Sequence, residues 1–121
     1  MTDLDALVGE WLNLPDLAEL LDIEVGKARG MVRDQQVVGT KRGTPKVFQV
    51  PAAFVLPDVE GRPGVIPTLR GTAMVLADAQ LSDEEIIEWL FTPNDELGER
   101  PVDALAAGKR AAVRRAAQTV Q

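Results

Sequence analysis

Leu14-Pro15-Asp16-Leu17-Ala18-Glu19-Leu20-Leu21-Asp22-Ile23, continuing as Glu24-Val25-Gly26-Lys27-Ala28-Arg29-Gly30-Met31-Val32-Arg33, decides the fold. Its first half opens with Asn13 as a helix N-cap and Pro15 in the first turn, where a missing N–H costs nothing. Leu17, Ala18, Leu20 and Leu21 then form an apolar stripe at helical spacing. Asp22-Ile23-Glu24 is a short turn, and the spacing predicts a further helix over residues 25–34 with Val25, Ala28, Met31 and Val32 inward. At about 100° per residue the opposite arc holds Gly26, Gly30 and Arg33, flanked by Lys27 and Arg29. A helix laid into a groove wants small residues where its backbone comes closest and long cations at the edges.

The pattern changes on either side of this pair. Downstream, Val37-Val38-Gly39-Thr40-Lys41 and Lys46-Val47-Phe48-Gln49-Val50 read as two short strands rich in β-branched residues. Arg42-Gly43-Thr44-Pro45 is the turn between them, so the hairpin carries cations at and beside its tip. Upstream, Thr2 with Asp5 resembles a capping box, and Leu4, Leu7, Val8 and Trp11 predict a first helix over residues 3–11. Helix, helix, turn, helix and basic hairpin is the order of a winged helix-turn-helix, whose recognition helix enters the major groove while the wing meets the backbone or minor groove.

Charge supports that order. The net charge is −6, but residues 27–50 hold six bases and one acid, a local +5 in an otherwise acidic chain. Such a block is enough to engage phosphates, while the acidic remainder weakens long-range attraction. Expected DNA contacts are Lys27, Arg29, Gly30 and Arg33 on the helix, and Lys41, Arg42, Thr44 and Lys46 on the wing. Arginine pairs bidentately with guanine, whereas lysine serves more as a phosphate anchor. The bland readings are a solvated helix face and lysines that block edge-to-edge strand pairing.

Residues 57–66, with Pro57, Gly61, Pro63 and Gly64, read as a loop or linker between residues 1–56 and a C-terminal helical domain over residues 67–121. That domain is expected to hold a helix over residues 67–79, with Gly71 as a blemish. A second helix is capped by Ser82 and stopped by Pro93, and a third is opened by Pro101 and interrupted by Gly108. The last covers Lys109–Val120. Trp11, Trp89 and Phe91 lie on apolar helical faces and are expected in the core.

The chain has no cysteine and no histidine, which removes disulfides, thiolate metal sites, and the commonest general base. No phosphate-binding glycine loop, nucleophile elbow or metal-ligand cluster occurs, and the acids Asp83, Glu84 and Glu88 sit at a helix start where capping explains them. The expectation is a binding protein rather than an enzyme, without cofactor or metal. The acidic N-terminus lacks a basic signal region and no run of about 18 apolar residues occurs, so a cytoplasmic, nucleoid-associated protein is expected.

Two stretches carry a resemblance. Leu14 to Ile23 resembles the opening of MerR-type and excisionase-type helix-turn-helix domains. Trp89-Leu90-Phe91-Thr92-Pro93-Asn94, Arg100-Pro101-Val102-Asp103-Ala104-Leu105 and Val113-Arg114-Arg115-Ala116 extend the likeness to the chain's end. Together they resemble an actinobacterial family of winged helix-turn-helix DNA-binding proteins known as substrates of a membrane serine/threonine protein kinase. The resemblance implies double-stranded DNA as partner, a C-terminal domain of unclear role, and a threonine in a flexible N-terminal tail whose phosphorylation weakens DNA binding by repelling DNA phosphates. In this chain only Thr2 lies near the terminus, ahead of the expected first helix; Thr40 and Thr44 are fallback positions. The Trp-Leu, Pro-Asn, Leu-Gly, Pro and Leu spacing of the last third also resembles the toxin-binding domain of certain antitoxins. That likeness implies a protein-interaction module, and the C-terminal helices are candidates for self-association as a homodimer.

Overall fold

The computed structural model describes residues 3–120. Its elements run α1 (Leu4–Val8), β1 (Trp11–Asn13), α2 (Leu14–Leu21), α3 (Val25–Arg33), β2 (Thr40–Arg42), β3 (Val47–Pro51), β4 (Val55–Val59) and β5 (Arg62–Val65). Four helices follow: α4 (Leu69–Asp78), α5 (Asp83–Phe91), α6 (Pro101–Ala106) and α7 (Arg110–Gln118). The architecture is a winged helix-turn-helix followed by a C-terminal helical domain.

Local chemistry sets most boundaries. The Asn13 side chain accepts from Asp16 N at 2.8 Å and starts α2. Asp22 ends it in the left-handed region (φ 55), and Ile23 N returns to Ala18 O at 2.9 Å, closing the tight turn into α3. Ser82 and Glu85 form a reciprocal capping box at the start of α5. The Ser82 backbone N–H donated to Glu85 holds that carboxyl below the ordinary glutamate range.

The expected first helix over residues 3–11 is shorter. Asp3 caps α1 through Asp5 N and Ala6 N, and Gly9 (φ 82) ends it. Thr2, and with it the Thr2–Asp5 box and the phosphorylation candidate, lies outside the described residues. Trp11 leaves the helix for β1, which pairs antiparallel with β3 from Trp11 opposite Pro51 to Asn13 opposite Gln49. The winged-helix sheet therefore has three strands, in the order β1-β3-β2.

Two further expectations are corrected. The first wing strand covers Thr40–Arg42 rather than residues 37–41, because Val37 and Val38 turn into hydrophobic interiors. Residues 57–66 are not a loop: β4 and β5 form an antiparallel hairpin there, turned at Glu60-Gly61 with a bulge between Leu56 and Val59. Its prolines are tolerated because a two-stranded ribbon has only edges. Smaller differences are Leu20, 47% exposed instead of buried, and the last helix, which is Arg110–Gln118. Val25, Met31 and Val32 are only half-buried, and Ala28 alone of the α3 stripe is fully enclosed.

Two apolar cores result. Leu17, Ala18, Leu21, Ala28, Val37 and Val50 fill the one between α2, α3 and β3. Val38, Phe54, Leu69, Ile87, Phe91 and Val113 belong to the larger one, on which Leu4 and Leu7 of α1 also pack. Phe54 meets Phe91 there at 5.7 Å between ring centroids. Adjacent residues, Val37 and Val38, thus enter different cores. Gly39 follows, and a Cβ on it would overlap the Gln49 carbonyl oxygen and stand 2.7 Å from Phe48 Cζ.

Gly39→Ala must displace backbone, so it is expected to cost roughly 1–3 kcal/mol of unfolding free energy. Gly26→Ala, where a Cβ meets nothing within 4 Å, should be neutral or stabilising by up to about 1 kcal/mol. Urea denaturation of both variants reads the contrast, and equal effects would contradict the packing at Gly39.

Candidate nucleic-acid interface

Helix α3 presents its cations as its wheel demands. Ala28 is completely buried, and Gly26, Lys27, Arg29 and Arg33 are exposed on the outward side. The Arg33 guanidinium lies over Gly30, with Nη2 3.3 Å from where a Cβ would stand. At the carboxyl end of α3 the Asp34 carbonyl accepts from Arg70 Nε of α4 at 2.8 Å, which ties the helix to the C-terminal domain.

The wing meets this helix at Phe48 and Gly39. One hollow beside them is lined by Arg33, and an adjoining one by Lys41 and Lys46. Arg33, Lys41 and Lys46 therefore flank the same two residues, one from the helix and two from the hairpin. Thr44 is exposed in the turn beyond β2, next to Gly43 (φ 88). Among the described residues, Lys27, Arg29, Arg33, Lys41 and Lys46 form no ion pair with a carboxylate.

Arg42 is placed differently from the other wing cations. Its guanidinium carbon stands 3.9 Å from the centre of the Trp11 ring, and Nη2 pairs with Asp5 of α1. The side chain is only 19% exposed, and its Nε is buried. Arg42 is thus a clamp between wing, β1 and α1, and the expectation that it reaches DNA is corrected by that geometry. Trp11 correspondingly serves as the platform under a cation rather than on a helical face. The stack was hidden in the sequence because only the β1–β3–β2 pairing brings residues 11 and 42 together.

Acidic neighbours were also hidden. Asp83 and Glu84, in the first turn of α5, line the hollow that holds Lys41 and Lys46, and Glu84 Oε1 accepts from Thr40 Oγ1 at 3.2 Å. These acids trim the positive potential of the wing on the side facing α5. Residues 40 and 84 are far apart in the chain, and no local pattern pairs them.

Among the described residues, no group of three or more carboxylates is placed to hold a metal ion. No helix there is long and apolar enough to cross a membrane.

Comparison with known proteins gives a consistent result. The family described as the winged helix-turn-helix domain of DNA-binding protein Rv2175c matches residues 2–55. The Rv2175c C-terminal domain of unknown function matches residues 66–121. The chain is similar to DNA-binding protein Rv2175c of Mycobacterium tuberculosis, 32% identical over 120 residues that span 89% of this chain and 78% of that protein. It is also similar to the NMR structure of Rv2175c, with a TM-score of 0.74 and 32% identity, covering 90% of this chain and 79% of that one.

Replacing Arg42 by alanine is expected to lower unfolding free energy by about 1–2 kcal/mol, through loss of the cation–π stack and of the apolar stem packed with it. Lys41→Ala and Lys46→Ala should stay within about 0.5 kcal/mol of the parent. Guanidinium denaturation of the three variants checks this. An Arg42→Ala protein as stable as the parent would return Arg42 to the free cations.

Proposed function

The chain belongs to the Rv2175c family, and from there we propose that it binds double-stranded DNA through α3 and the β2–β3 wing. The observation that carries the reading is the set of five cations that form no ion pair among the described residues, Lys27, Arg29, Arg33, Lys41 and Lys46, on two adjoining elements. Holding like charges near one another is unfavourable in the free protein, is only partly offset by Asp83 and Glu84 beside the wing, and is relieved by phosphates. Helix α3 enters the major groove with its glycine-bearing face foremost. Arg29 and Arg33 reach base edges, Lys27 anchors a phosphate beside the groove, and Lys41, Lys46 and the Thr44 hydroxyl meet the backbone.

The function is binding rather than catalysis, and the site takes no cofactor. A transcriptional or nucleoid role in the cytoplasm fits a small protein of this kind. DNA binding stands ahead of a purely protein-interacting module, because residues 27–50 carry a local charge of +5 and lie on the helix and wing that this fold presents to a duplex.

Mobility-shift titration across salt tests the proposal. Each phosphate contact contributes about −0.9 to the slope of log K against log salt, so a slope of roughly −3 to −5 is expected. Lys41→Ala with Lys46→Ala should flatten it by about 2 and weaken all sequences alike. Arg33→Ala should cost about 1–3 kcal/mol and relax base preference. Binding that is indifferent to salt would contradict the assignment.

A further inference from the structure

The C-terminal domain holds a groove of about 490 Å³ between the first turn of α4 and helix α7. Gly71, Thr72, Arg110 and Arg114 line it, and no carboxylate does. Each of these residues is unusual for the place it occupies.

Helix α4 starts without a side-chain cap, since Thr68 makes no capping hydrogen bond. The backbone N–H groups of Arg70 and Gly71 find no acceptor among the described residues. They form the positive end of a helix. Gly71 is not at positive φ, and a Cβ on it would meet nothing within 4 Å. Neither backbone conformation nor packing within the chain requires glycine there, and alanine is the better helix former. What a missing side chain does provide is close approach to those N–H groups from outside.

Thr72 forms the floor. It is 3% exposed, and its hydroxyl makes no hydrogen bond among the described residues. Its oxygen is not sealed from solvent, so the hydroxyl stands open as donor and acceptor at the base of the groove. Opposite stand Arg110 and Arg114, one turn apart on α7, both exposed and neither paired with an acid among the described residues. Like charges at this spacing repel, and a shared anion relieves the repulsion.

We propose that this groove binds the phosphate group of a small phosphorylated molecule. The Arg70 and Gly71 N–H groups and the Thr72 hydroxyl donate to its oxygens, and Arg110 and Arg114 clamp it from α7. The volume falls within the roughly 300–1,000 Å³ of small-ligand sites.

The test titrates the full chain with inorganic phosphate and with glucose 6-phosphate, against chloride at equal ionic strength. Amide chemical shifts and calorimetry report binding. Gly71→Leu fills the groove and Arg110→Gln with Arg114→Gln removes the clamp; both sites are exposed, and thermal unfolding checks that each variant folds. Saturable shifts centred on Arg70, Gly71 and Thr72 are expected with both phosphates. Each variant should weaken binding about tenfold or more and leave duplex affinity unchanged. Equal shifts with chloride, or unweakened binding in the variants, overturn the proposal. So does a silent phosphate titration combined with loss of duplex binding in the arginine variant, which would assign these arginines to DNA backbone. Phosphate binding and duplex binding are read separately, so failure of one leaves the other legible.

Discussion

Two adjacent valines pointing into two interiors hold this molecule in register. Val37 is enclosed with α2, α3 and β3, while Val38 is enclosed with the C-terminal helices. Gly39 then passes so close to Gln49 and Phe48 that no side chain fits. Three consecutive residues therefore fix where α3 ends, where the wing begins, and how both stand on the C-terminal domain. A shift of one residue here would expose a valine on each side and separate the helix cations from those of the wing. Arg70, reaching the Asp34 carbonyl that caps α3, braces the same junction from the other direction.

Charge is divided by use rather than by sum. Arg42, Arg100 and Lys109 are committed to internal carboxylates, at Asp5, Asp103 and Glu99. Hydrogen bonding to Asp103 raises the Arg100 pKa above its ordinary value, as a structural ion pair does. The cations of α3 and the remaining two of the wing have no such partner among the described residues. A net charge of −6 then acts mainly at long range, where it slows encounter with DNA and tempers non-specific binding without cancelling contacts made at a few ångströms. The acids of α5 beside Lys41 and Lys46 act in the same sense at shorter range.

Legibility of the sequence followed the range of the interactions involved. Asn13, Ser82 and Pro101 announce helices by chemistry within one turn, and all three helices start where those residues stand. The tight turn at Asp22 and the basic hairpin were equally local. Strand β1 was not legible, because Trp11 continues an apolar helical spacing and only its pairing with β3 shows it to be extended. The hairpin at residues 55–65 was masked by prolines and glycines that read as a loop until two edges are seen to pair. Five of the six expected contact cations remain free on the surface, and Arg42 does not, since its stack depends on partners 31 and 37 positions away. Gly71 read as a flaw in a helix, and the neighbours that give it meaning come from α7.

The central claim is that α3 and the wing form one surface that holds one duplex. Amide chemical-shift mapping during titration with a short duplex tests it most directly. If it holds, resonances of Lys27 to Arg33 and of Thr40 to Lys46 move together and saturate at the same ratio of duplex to protein. Movement confined to one of these segments, or scattered over unrelated faces, would contradict it.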